Sequence, residues 1–123
     1  MNHKLLLIVL GCVLCGCDAQ PQAPTRDQIE KGPLSFVQDG TTTREDVLLR
    51  FGTPTGQFEG DRILTFRLAI SRALEVTPAS RVALTYRHDD QGVWNGTTHE
   101  LVVVFDGKNV VQKHRLIQIQ DPR

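Results

Sequence analysis

The chain has 123 residues, 40% of them apolar and 23% charged, which allows one small domain with a modest core. Fourteen Lys and Arg stand against fourteen Asp and Glu, leaving no net formal charge. The Arg residues are scattered, which argues against a nucleic-acid binder, because phosphate contacts need a concentrated basic surface.

Residues 1–16 predict an export signal. Lys4 supplies the positive start, Leu5 to Leu14 supply an apolar run of about ten residues, and the small Gly16 precedes Cys17. The run is too short for a membrane span, which needs about twenty residues. Leu14-Cys15-Gly16-Cys17 resembles the lipobox of bacterial lipoproteins. That resemblance implies cleavage before Cys17, which would then carry a diacylglyceryl thioether and an amide-linked fatty acid such as palmitate. Val9-Leu10-Gly11-Cys12 competes less well, since cutting there leaves Val13 and Leu14 exposed instead of starting the polar Asp18-Ala19-Gln20. The alternative is an ordinary secretory signal with incidental cysteines. Each buried CH₂ contributes about 0.8 kcal/mol, so several acyl chains on one residue hold a protein on a membrane durably. With Cys12 and Cys15 removed and Cys17 acylated, no thiol is expected to remain for a disulfide or a nucleophile.

Residues 17–33 predict the lipidated cysteine and a flexible tether, extended by the prolines of Gln20-Pro21-Gln22-Ala23-Pro24. Within it, Thr25 with Gln28 has the spacing to cap one or two helical turns before Gly32-Pro33 stops them. The domain itself is expected over residues 34–120, with 121–123 as a tail. Pro33 to Val37 predicts a short turn that brings Phe36 and Val37 beside Val47 and Phe51.

Asp39 to Pro54 marks both ends of a helix. Thr42 is placed to cap the first turn with Glu45 reaching back, a capping box that contributes on the order of 1 kcal/mol. Gly40 suits a positive-φ turn, Gly52 suits the close of the helix, and Pro54 cannot continue it. The helix is expected from about Thr43 to Phe51, with Val47, Leu48 and Phe51 on its buried face and Asp46 paired with Arg50. So short a helix needs a partner surface to be stable.

Beyond Pro54 the period becomes alternating. Ile63 to Ile70 predicts a half-buried strand entered through the turn Glu59-Gly60-Asp61. Thr77-Pro78-Ala79-Ser80 predicts a turn, and Val82 to His88 a further strand. A polar loop over Asp89 to Thr97 leads into Glu100 to Phe105, which is apolar on both faces and is expected at the sheet's centre. Asp106-Gly107-Lys108-Asn109 is a hairpin turn before a last strand, Val110 to Ile119. Short connections predict an antiparallel meander covered on one face by the helices. The expected architecture is α+β, with short N-terminal helices packed on a three- to four-stranded antiparallel sheet.

A lipobox, a polar tether, Gly40-Thr41 before a helix ending in Phe51-Gly52-Thr53-Pro54, Leu64-Thr65-Phe66 in a strand, and a late Val102-Val103-Val104-Phe105-Asp106-Gly107 hairpin resemble the BamE (SmpA/OmlA) family. These are small outer-membrane lipoproteins of Gram-negative bacteria. The resemblance, over about Gly40 to Leu116, implies two helices on a three-stranded antiparallel sheet. It also implies a non-catalytic, periplasm-facing role in assembling β-barrel proteins into the outer membrane and maintaining the envelope. Ser71 to Ser80 is longer than the family's turn there, and Asp89 to Thr98 is a distinct loop. Asp18 directly after Cys17 resembles the inner-membrane retention signal of enteric bacteria, which keeps the inner membrane open as an address. An inhibitor-like lipoprotein of the same fold with another protein partner is the alternative function.

Candidate partner-binding residues are Thr41, Thr42 and Thr43 in the turn before the helix, with Trp94 and Asn95 in the late loop. Trp94 is either an exposed contact or a ring that closes the end of the sheet. Gly40, Gly52 and Pro54 are expected to act as turn and cap residues. His88, Asp89, Asp90 and His99 flank the same loop but match no metal-ligand spacing, and neither a nucleophile elbow nor a phosphate-binding glycine loop occurs. The expectation is a protein without catalytic residues, metal, small-molecule substrate or cofactor other than the lipid on Cys17.

Overall fold

A computed structural model describes Gly16, residues 22–78 and residues 96–120. The expectations for the signal segment and Cys17, for the Val82 to His88 strand, for Trp94 and Asn95, and for the tail at 121–123 lie outside these described residues.

Helix α1 spans Arg26–Lys31, and Thr25 and Gln28 close the predicted capping box. The Thr25 hydroxyl accepts the Gln28 N–H at 3.3 Å, and the Gln28 side chain accepts the Thr25 N–H at 2.9 Å. Ile29 on this helix is 0% exposed and joins the core. Helix α1, expected within the tether, thus contributes to the core, because one apolar side chain is enough to dock a helix whose other residues are polar. The chain then turns, with Leu34 N–H donating to Ile29 O and Val37 N–H to Leu34 O, which delivers Leu34 and Val37 to the interior.

Helix α2 spans Arg44–Phe51, and its cap is Thr43 rather than the expected Thr42. The Thr43 hydroxyl accepts the Asp46 N–H at 3.2 Å, while the Asp46 carboxylate accepts the Thr43 N–H at 3.1 Å. These bonds to Thr43 hold the Asp46 carboxyl below its ordinary pKa. Thr42 is unavailable because its hydroxyl accepts the Gln38 N–H at 2.8 Å and donates to the Phe36 carbonyl, which leaves the residue 5% exposed. The expected Asp46–Arg50 pair is likewise replaced. Asp46 serves the cap, and the Arg50 guanidinium lies over the Phe36 ring, 5.0 Å from its centroid. Gly52 closes the helix at φ 76 and ψ −138, a region open to glycine, with its N–H on Leu48 O at 2.8 Å.

Among the described residues the sheet has five antiparallel strands, where three or four were expected. They are β1 (Gly56–Phe58), β2 (Ile63–Ile70), β3 (Val76–Pro78), β4 (Thr97–Phe105) and β5 (Val111–Ile119). The order is β1-β2-β4-β5, with β3 also on β2. Because β1 pairs with Ile63 to Thr65 and β3 with Leu68 to Ile70, the two short strands share one edge of β2. The residues Thr77 and Pro78, expected in a turn, thus form part of β3, and an edge is where a strand tolerates proline. As expected, β2 spans Ile63 to Ile70 and β4 is interior, lying between β2 and β5.

One face of the sheet carries the core. Leu64, Phe66, Leu68 and Ile70 of β2, Leu101, Val103 and Phe105 of β4, and Val111 and Leu116 of β5 pack against Ile29, Leu34, Val37, Val47 and Phe51. The Phe51 ring sits 5.4 Å from Phe66 and 5.5 Å from Phe36, in tilted geometry. Burial of this apolar surface is the main force holding the short helices down.

Candidate functional site

The turn before α2 is fastened to the start of β5. Gly40, at φ 80, donates to Val111 O at 2.6 Å, Val111 N–H donates to Thr42 O at 2.8 Å, and Arg44 N–H donates to Asn109 O at 2.8 Å. Thr43 and Val110 form a bridge, and the His114 Nδ1 lies 2.6 Å from an Asp39 carboxylate oxygen. With its backbone groups matched on both sides, this turn is held in place by the sheet.

The three threonines occupy different environments. Thr41 and Thr43 are exposed, whereas Thr42 is buried and both of its hydroxyl bonds are internal. Thr42 therefore fixes the turn that presents the other two.

Leu49 is 78% exposed, on the side of α2 away from Val47 and Phe51. Two open depressions of about 620 Å³ each flank it. Thr43, Arg44, Glu45, Leu48, Lys108 and Asn109 line one of them, and Phe36, Gln38, Thr41, Asp46 and Arg50 line the other. The Arg44 Nη2 lies 2.7 Å from Asp61, and its Nε is buried without a partner among the described residues. An apolar centre inside a rim of both charges is the anatomy of a protein contact. Sequence reasoning missed Leu49 because it sought the buried face, yet the signal was present: an apolar residue two positions from Val47 falls on the far side of a helix.

Gly52 and Pro54 sit at the far end of α2, away from this surface, and serve chain geometry. His99 is 3% exposed on the core side of β4, with its Nδ1 3.3 Å from the Thr97 hydroxyl. Burial pushes its pKa below the ordinary imidazole value, and Thr97 offsets part of that shift. The residues expected near it, His88, Asp89 and Asp90, are outside the described residues, as are Cys17, Trp94 and Asn95. Among the described residues no group of three or more His, Cys, Asp or Glu could hold a metal ion. No described helix is long and apolar enough to cross a membrane. No family model, curated protein or solved structure matches this chain.

Proposed function

We propose that this protein is a lipid-anchored, periplasm-facing binding module that supports assembly of β-barrel proteins into the outer membrane and the integrity of the envelope. Its resemblance to the BamE family and the lipobox at Cys17 supply the anchor and the setting. The observation that carries the binding role is Leu49, a large apolar side chain held in solvent between two depressions on α2, the helix whose N-terminal turn is fastened to the sheet. A single exposed leucine is ordinary, but one centred in a mixed-charge rim on a helix fastened at its start has the form of an interface anchor. The work proposed is contact with another protein, without catalysis.

The test is affinity purification of the tagged full chain from detergent-solubilised envelopes, with Leu49→Asp in parallel. Recovery of a barrel-assembly component with the wild type and its loss with Leu49→Asp is the expected result. Recovery of none with either chain would overturn the partner assignment. Specific capture of a different periplasmic protein through Leu49 would instead favour the inhibitor-like alternative.

A further inference from the structure

The face of the sheet opposite the helices has a second surface at the β5 edge. The Phe105 N–H reaches Arg62 O at 2.8 Å, on the β2 side. By antiparallel alternation, Val104, Val102, Glu100 and Thr98 then direct their backbone groups to β5, opposite Lys113, Arg115, Ile117 and Ile119. His114, Leu116 and Gln118 therefore point their N–H and C=O groups away from the sheet. Among the described residues the backbone on the outer side of β5 is paired only near its start, through Gly40 and Thr42 to Val111, the Thr43–Val110 bridge and Arg44 to Asn109, and beyond that the Asp39 side chain reaches His114. An unpaired strand edge is a template for another strand.

The side chains beside that edge define what fits. A depression of about 350 Å³ is lined by Val102, Val104, Lys113, His114, Arg115 and Ile117. Ile117 is 46% exposed, and Val102 and Val104 are half-buried. Glu100 stands opposite Arg67 in the ladder and the Asp39 carboxylate lies against His114, whereas Lys113 and Arg115 are exposed and have no carboxylate partner among the described residues. A second copy adding by a two-fold would bring these cations towards their own images, and like charges across a strand pair are destabilising. Acidic side chains on the incoming strand would instead be attracted.

We propose that the outer edge of β5 takes up an extended acidic segment of a partner protein as an added antiparallel strand, its carboxylates facing Lys113 and Arg115. This surface is separate from the one at Leu49 and depends on neither the anchor nor the barrel-assembly assignment.

The full chain in non-ionic detergent is titrated by fluorescence anisotropy with a labelled peptide of alternating Glu and Val, about eight residues long, the span of an ordinary strand. In the proposed pairing the valine nitrogens face His114 and Leu116 while the glutamate nitrogens face outward. Binding should be saturable, should weaken roughly tenfold in Lys113→Gln/Arg115→Gln, and should be lost on methylating the valine nitrogens but kept on methylating the glutamate nitrogens. Both substituted side chains are exposed, so the variant keeps its fold, and circular dichroism checks this. No saturable binding to the wild type, unchanged affinity in the variant, or an equal response to the two methylations would overturn the proposal.

Discussion

Thr42 and Thr43 show how a single residue's role is decided by what lies across the fold. The run Thr41-Thr42-Thr43-Arg44-Glu45-Asp46 offers two capping boxes, Thr42 with Glu45 and Thr43 with Asp46, which local spacing cannot separate. The Phe36 carbonyl and Gln38 N–H decide between them by engaging Thr42. Thr42→Val keeps the shape but leaves a partly buried N–H and carbonyl unpaired, so it should cost about 1–2 kcal/mol in urea unfolding. Thr43→Ala, at the exposed cap, should cost about 1 kcal/mol. His99 carries a pH dependence of definite sign. Its folded pKa lies below the ordinary 6.5, so the unfolded chain takes up the proton first. Its contribution to stability is therefore intact above the ordinary imidazole pKa and is lost as pH falls through that value towards the folded one. Urea midpoints measured from about pH 7 down to 5 should fall, and less steeply in His99→Gln. An equal slope in both proteins would remove His99 as the cause.

At the scale of elements, length decides what was legible. The strands β2, β4 and β5 run eight or nine residues, long enough for alternation to show, and α1 is announced by its cap. The strands β1 and β3 have three residues each, too few for any period, and they form only because β2 offers them an edge. Gly56 in β1 shows how closely that edge is fitted. A Cβ there would lie 2.7 Å from the Thr65 Oγ1 and 3.1 Å from the Phe58 ring. Gly56→Ala should therefore destabilise by about 1–3 kcal/mol, the cost of forcing an atom into a filled site. Thr65→Ala in the same chain removes the nearer obstacle and should restore part of the loss, read as the thermal midpoint of the double variant. Leu49 behaves in the opposite way. Leu49→Asp should move stability by no more than about 0.5 kcal/mol, because the side chain is in solvent, while weakening partner capture.

For the molecule as a whole, the α+β class and the covering of one sheet face by helices were legible because the apolar pattern changes from helical to alternating at Pro54. The strand order and the part played by α1 were not, since they depend on contacts between distant residues such as Ile29 and the sheet. The candidate site was half legible. Its turn was marked by Gly40 and the threonines, but Leu49 gains meaning only once the buried side of α2 is known. The proposed membrane attachment is tested on the whole molecule. Labelled fatty acid should enter the wild-type chain and be absent from Cys17→Ala; label persisting in that variant would refute the anchor. Separation of inner from outer membranes by density should place the wild type with the outer membrane, and recovery with the inner membrane would assign Asp18 the retention role.

The α2 surface around Leu49 is proposed to touch a barrel-assembly component at the envelope. The most direct measurement places a photo-crosslinking side chain at position 49 in living cells, and at the exposed Gln57 on the far edge of the sheet as a control, with adducts identified by mass spectrometry. The account predicts an adduct with a barrel-assembly subunit from position 49 and none from position 57. Adducts equal at both positions, or a position 49 that crosslinks to no such subunit while the protein is folded and expressed, would contradict it.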